Sequence, residues 1–373
     1  MKKNKTLYKI TAIAALSVMS LSLLSGCGKK NNKNVTEAPI EATFNVSPIS
    51  NMTSAEDIQV FYKDGMVISD LTGEWIDESL AKQRPLCIMI NNIIDAMPQS
   101  GLSQADITYE FVVEGGITRL MCVFKDYQSG IEKLGPVRSS RHYYAQMAYV
   151  LDGIYAHFGW SPYAEMYIES IPGYQNLNGL ELEGTMYYRD SSRVAPHNVY
   201  TDSEGIMAGI NKKGYDMTHS SSYEYNNFKF NYNDTPLASG NTANKVTTAF
   251  SNDRMPWFEY NSEDSRYYRY QYGDKQIDAN TGEQLSYKNI IVMFAVYEQI
   301  DDYGCQNIVW DSEGTTGDGY YITDGEYIPI TWTKGGAGLI YKTEDGNQLK
   351  MNPGNTYISV MKANESDSRV IFE

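Results

Sequence analysis

Three textures of apolar and polar positions succeed one another along the chain. Ile10–Leu24 is a predominantly apolar stretch of 15 residues, and the segment after it is polar with no period. From Leu86 onward strand and helix patterns alternate. Leu86–Ile90 is an uninterrupted apolar run, which predicts a buried strand. Ile107–Val113 alternates at period two, and Glu114-Gly115-Gly116 leads into Ile117–Phe124, which predicts a β-hairpin. Helical periodicity covers Tyr143–Leu151 and stops at Gly153. Ile154–Phe158 reads as a short strand, and Ser161-Pro162 as the N-cap and first-turn proline of a helix through about Ile168. Thr201-x-x-Glu204 has the form of a capping box for a helix to Lys213, with Gly214 as its C′ residue.

Past this point the texture becomes β. Residues 223–250 are Asn-rich and irregular, as expected of a crossover. Tyr267–Tyr272 and Ile290–Val296 are strand-like, Asp324-Gly325 joins Tyr320–Thr323 to Glu326–Trp332 as a hairpin, and Glu344-Asp345-Gly346 makes another turn. The fold class expected is α+β or α/β: a mixed-sheet N-terminal domain with helices over 76–222, then a smaller, mostly-β C-terminal domain over 251–373.

The N-terminus sets the location. Lys2, Lys3, Lys5 and Lys9 precede the apolar stretch, which is too short for a stable membrane span and right for a signal peptide over 1–26. It ends in Leu24-Ser25-Gly26-Cys27, a lipobox, so Cys27 is the expected lipidation site. An ordinary signal peptide that happens to contain a cysteine is the alternative. The expectation is a lipid anchor on the outer face of the cytoplasmic membrane, with 27–75 as lipidated N-terminus and disordered tether. Three thiols then remain, Cys87, Cys122 and Cys305, with no Cys-x-x-Cys. Buried thiols are favoured over a Cys87–Cys122 bridge.

Charge narrows the partners. Lys plus Arg is 31 against 46 Asp plus Glu, a net charge of −15, and loss of the four leader lysines takes it to −19. Nucleic acid is not an expected partner of so acidic a chain. Tyrosine outnumbers phenylalanine 31 to 11, which β-propensity explains better than a glycan surface does.

Within that acidic chain the arginines are placed unevenly. Residues 84–198 hold Arg84, Arg119, Arg138, Arg141, Arg189 and Arg193 with only two lysines, whereas the rest holds 4 Arg and 19 Lys. His142, His157 and His197 fall in the same stretch. Guanidinium is a planar donor fork suited to anions or to buried ion pairs. Two readings stay open: convergence on an anion, or internal salt bridges to Glu110, Glu114, Asp152 and Asp190. In Gly135-Pro136-Val137-Arg138-Ser139-Ser140-Arg141-His142 a turn enters a helix, with Ser139 or Ser140 as the natural N-cap and two arginines beside the free N–H groups. Candidate ligand-binding residues are therefore Arg119, Arg138, Ser139, Arg141, His142, His157, Ser161, Arg189, Arg193 and His197. The Gly-x-Ser-x-Gly elbow, the Walker-A loop, Gly-x-Gly-x-x-Gly and His-Glu-x-x-His are all missing, and no cofactor or metal is expected. The leading expectation is a binder of an anionic envelope ligand. The alternatives are a hydrolase or transferase using the same pocket, and a scaffold that docks an envelope protein through the β domain.

Several segments together carry a family resemblance. They are Arg84-Pro85, Met89-Ile90-Asn91-Asn92, Pro98-Gln99-Ser100-Gly101-Leu102, Ala105-Asp106-Ile107, Glu114-Gly115-Gly116-Ile117-Thr118-Arg119, Gly135–Arg141 and Gly159-Trp160-Ser161-Pro162, with Ile322-Thr323-Asp324-Gly325 and Asn352-Pro353-Gly354 further on. Over about residues 80–365 the chain resembles the YerB-like lipoproteins of Gram-positive bacteria. The resemblance implies an α/β N-terminal and a smaller β C-terminal domain, with no established activity. The family pattern commonly has an arginine before Pro-Gln-Ser-Gly-Leu, where this chain has Met97.

Overall fold

A computed structural model of the chain describes residues 63–224, 227–310, 314–335, 338–363 and 369–373. The signal peptide, Cys27 and most of the expected tether lie outside the described residues. The last part of that tether proves structured. Met66–Ile68 pairs with Trp75–Asp77, and Leu71 between them is 1 % exposed. A single leucine anchored in the core, with Asp70 ion-paired to Lys125 at 2.8 Å, ties this segment down.

The central element is a sheet that, among the described residues, has eleven strands. One half of it contains β1 (Leu86–Asn91), β2 (Ile107–Val112), β3 (Thr118–Phe124), β4 (Ile154–His157) and β5 (Asn176–Asn178), the last of these at its edge. Helices α1 (His142–Val150), α2 (Pro162–Ser170) and α3 (Ser203–Lys213) belong to the same part of the chain. The alternation at 107–124 does form a hairpin, with Val112 opposite Thr118 and Gly115 at φ 68°. All six residues of β1 are buried, because both faces of the sheet are covered, which explains why Leu86–Ile90 is an unbroken apolar run.

The later part of the chain adds β6 (Lys245–Thr248), β7 (Trp257–Asn261), β8 (Arg266–Gln271), β9 (Asn289–Ala295), β10 (Thr315–Thr323), β11 (Glu326–Gly335), β12 (Gly338–Thr343) and β13 (Thr356–Lys362). The main sheet does not stop between the two parts. β13 lies parallel to β9 on one side and to β2 on the other, with Ser359 opposite Glu110. A second sheet, six-stranded among the described residues, contains β6, β7 and β8. Two strands, β6 and Asn241–Thr242, fall in the stretch expected to be an irregular crossover, so that expectation is corrected. They pair with β7 and β11 respectively, partners that local pattern does not reveal.

Strand alternation divides the core between the two faces. Leu86, Ile88, Ile90, Leu120 and Cys122 pack with Ile206 and Ile210 of α3 and with Phe258 and Tyr267 of the second sheet. Cys87, Met89, Met121 and Val123 pack with Tyr143, Tyr144 and Met147 of α1. Cys87 and Cys122 therefore face opposite sides, and both are free. Two helix starts also differ from expectation. The N-cap of α1 is Arg141, with no side-chain cap, rather than Ser139 or Ser140. Val137 bridges Ile90 and Ser140 bridges Trp160, which keeps residues 137–140 extended and delays the helix. The N-cap of α3 is Asp202, which accepts from Gly205 N at 2.7 Å, while Thr201 donates its hydroxyl to Met186 O. Gly214 does close α3 in the left-handed conformation, and Ser161 does cap α2.

Candidate functional site

β1, β2, β4 and β5 run parallel, so Asn91, Val112, His157 and Asn178 bring their carboxyl ends to one edge of the sheet. That edge is where open α/β sheets place their ligands. The antiparallel β3 contributes Arg119 there, directly opposite Asn91. The 137–141 segment crosses the same edge, with Arg138 N donating to Met89 O and Arg138 O accepting from Phe158 N. Arg119, Arg138 and Arg141 are thereby brought together.

These three arginines are not equivalent. Arg119 is 5 % exposed and donates Nη1–H to Ser139 O at 2.6 Å. Arg141 grips both carboxylate oxygens of Glu114 and also donates to Ser140 O at 2.7 Å. Two guanidinium groups thus fasten the backbone of the loop. Arg138 alone of the three is left unsatisfied: its Nε is buried without a hydrogen-bond partner, and among the described residues no carboxylate pairs with it. Burial, then the neighbouring Arg141 and Arg138 charges, pull Arg119 down to about 10. Burial and Arg141 lower Arg138 in the same direction. Burial pushes the Glu114 carboxyl up, but the Arg141 hydrogen bond and charge outweigh it and hold Glu114 below the usual carboxylate range. Positive charge exceeds negative charge at this edge, and the excess sits on Arg138.

Most of the other candidate residues are structural. His157 is fully buried; Nδ1 donates to Gly159 O at 2.8 Å and Nε2 lies 2.6 Å from the Asn176 side-chain amide. Burial lowers its pKa to about 4, so the ring is neutral. His142 Nε2 donates to Asn307 Oδ1 at 2.9 Å. Ser161 Oγ accepts from Ala164 N as the α2 cap. Ser139 is half-buried beside Arg138, whereas Ser140 Oγ accepts from Tyr155 Oη at 2.8 Å. Arg189 pairs with Glu183 at 2.6 Å and lies over the Phe158 ring. Arg193 donates to the carbonyls of Ala96, Met97 and Pro98, so a guanidinium from another loop reaches the backbone at Met97. His197 stands near Arg138, and its Nδ1 is 2.6 Å from Asn91 Nδ2. The expected internal pairs are present for Arg84 with Asp152 and Arg141 with Glu114, but Asp190 pairs with Lys133 and Glu110 with Arg269. The adjoining cleft of about 840 Å³ is lined by Glu114, Asp301 and Asp302 besides the paired Arg141. Its acidic wall does not suit an anion.

A buried polar network lies beyond what the sequence pattern singles out. Arg269, fully buried, donates to Glu110 Oε2 at 2.9 Å, and Glu110 also accepts from Thr118, Asn92 and Tyr357. Gln276 donates to Gln99 Oε1, and the backbone N–H groups of Gly101 and Ser103 donate to Asp278. The motif residues Asn92, Gln99 and Gly101 are therefore joints between the earlier and later parts of the chain. Alternation in β8 puts Arg269 on the inward side with Tyr267 and Gln271, and that is the signal the sequence offers.

Comparison with known proteins agrees with this architecture. Residues 71–216 match the N-terminal domain, and residues 246–358 the C-terminal domain, of a family described as "Protein of unknown function (DUF3048)". Over 292 residues the chain is 32% identical to a Bacillus subtilis (strain 168) protein named "Putative lipoprotein YerB", covering 78% of this chain and 85% of that one. The crystal structure of YerB protein from Bacillus subtilis aligns with a TM-score of 0.70 at 29% identity, covering 80% of this chain and 98% of that one. Both domains are matched in order, around a mixed sheet with few helices. The chain belongs to the two-domain DUF3048 family, alongside YerB.

Proposed function

We propose that this protein is a lipid-anchored extracytoplasmic binder, and that it holds an anionic envelope ligand at Arg138. One observation carries the reading: a guanidinium whose Nε is sealed from water, lacks an acceptor and is flanked by two other arginines. A buried donor without an acceptor costs about 1–3 kcal/mol, and an oxyanion removes that cost together with the repulsion. Binding is favoured over catalysis because two of the candidate catalysts are otherwise engaged: Ser161 caps α2, and both His157 nitrogens are taken.

Isothermal titration of inorganic phosphate into residues 27–373 carrying Cys27→Ala tests this. Arg138→Ala is expected to weaken binding by about 1.5–3 kcal/mol, the range for a hydrogen bond to a charged group. Folded stability is expected to hold or rise, since one of three adjacent cations is gone. A large loss of stability, with no phosphate binding by the parent chain, would overturn the reading.

The anchor rests on the lipobox at Cys27 and on the lipoprotein name of the relative. Among the described residues no helix is long and apolar enough to cross a membrane. Cys27→Ala in the full-length chain is expected to shift the protein from the membrane fraction to the soluble or secreted one. A variant as membrane-bound as wild type contradicts the anchor.

A further inference from the structure

His197 sits on the 190–198 loop, half-buried at the same edge of the sheet as Arg138. Its Nδ1 accepts from Asn91 Nδ2 at 2.6 Å, so the ring proton of the neutral form is on Nε2. Among the described residues Nε2 has no protein partner. Asn91 is the last residue of β1, pinned opposite Arg119 in the sheet, so the ring is aimed from a rigid position. Burial, then the charges of Arg138 and Arg193, keep His197 below the usual histidine range, against the opposing pull of Asp95.

We propose that His197 is the second ligand of the anion held by Arg138, donating its Nε2–H, and that Asn91 is the positioning residue that fixes this tautomer. Binding is then coupled to proton uptake. An opposite charge within about 4–6 Å favours the cationic ring, whereas the empty site surrounds it with arginines and disfavours it. The incoming proton goes to Nδ1, and the Asn91 amide turns to offer Oδ1 in place of Nδ2. The Arg138 backbone stays in place, held on both sides by Met89 and Phe158, while its side chain turns to present the sealed Nε–H to the ion. The ligand class is an oxyanion, carboxylate or phosphate ester, taken more tightly at mildly acid pH. This inference rests on the anion-site reading and goes beyond it.

Inorganic sulfate is the suitable probe, because its own charge does not change between pH 5.5 and pH 8. Titration into residues 27–373 carrying Cys27→Ala is expected to show roughly tenfold tighter binding at pH 5.5, which follows if the bound ion raises the pKa of the ring by about one. The acidic surface of the chain also softens as pH falls, and His197→Gln separates that background: it should still bind sulfate, with nearly the same affinity at both pH values. Asn91→Asp offers Nδ1 a carboxylate, so the pH at which binding weakens should move upward. Parent binding that is equal at pH 5.5 and 8, or a pH ratio unchanged in His197→Gln, overturns the proton linkage while leaving the anion site standing. No sulfate binding by the parent chain at either pH overturns both.

Discussion

Replacing Arg269 by alanine is expected to destabilise the chain by about 3–5 kcal/mol, the usual effect of removing one partner of a buried ion pair. Glu110 would keep a fully buried carboxylate with neutral hydrogen-bond donors but without its cation. The loss is not local. Glu110 lies on β2 and Arg269 on β8, 159 residues later, and Tyr357 of β13 donates to the same carboxylate. The pair therefore joins the two family domains at the point where β13 completes the main sheet. Urea denaturation followed by tryptophan fluorescence reads the effect, and one cooperative transition, shifted as a whole, is expected. Glu110→Gln in the Arg269→Ala background removes the stranded charge and should recover part of the loss. A change below about 1 kcal/mol, or two separate transitions, would contradict the joint described here.

Acid should expose the second large effect, through His157. Its folded pKa of about 4 lies below the ordinary value near 6.5. The unfolded chain therefore binds the proton first as pH falls. Stability from this group is complete above pH 6.5 and is lost between there and about pH 4, to a total of roughly 3 kcal/mol at about 1.36 kcal/mol per pH unit. Over most of that window Glu114, Asp152 and Asp190 stay ionised, since each is held below the usual carboxylate range. Asp106, which burial raises to about 7, titrates in the opposite sense over the same window, so His157 is read as the difference between parent and His157→Gln: the variant should be less stable at pH 7, by an amount that shrinks toward pH 4.5. A difference between parent and variant that stays constant from pH 6.5 to 4.5 would show the imidazole to be accessible to protons, and thus available to a ligand.

The legible parts of the fold were those that local chemistry determines. The β2–β3 hairpin, the Ser161-Pro162 start of α2, the left-handed Gly214 and the Asp324-Gly325 turn each follow from a few adjacent residues. Placement of β13 between β9 and β2 was not legible, because that register depends on partners far away in the sequence. The start of α1 is set by the same kind of distant partner: bridges from Val137 and Ser140 keep extended the residues that capping chemistry alone would put at a helix start. At the candidate site, the arginine bias was legible and its meaning was divided. Arg84, Arg141, Arg189 and Arg193 have partners within the fold, as internal pairing would require, and Arg138 does not. Which arginine is left over is a property of assembled geometry, and six arginines of one composition give no sign of it.

Arg138 is, on this view, a cation awaiting an oxyanion. A crystal of residues 27–373 carrying Cys27→Ala, soaked in sulfate, tests that most directly. The expected result is tetrahedral density within hydrogen-bonding distance of the Arg138 guanidinium, with the His197 ring turned toward it. Clear density for Arg138 donating its Nε–H to an acceptor of the protein itself, with no ion beside it, would contradict the claim.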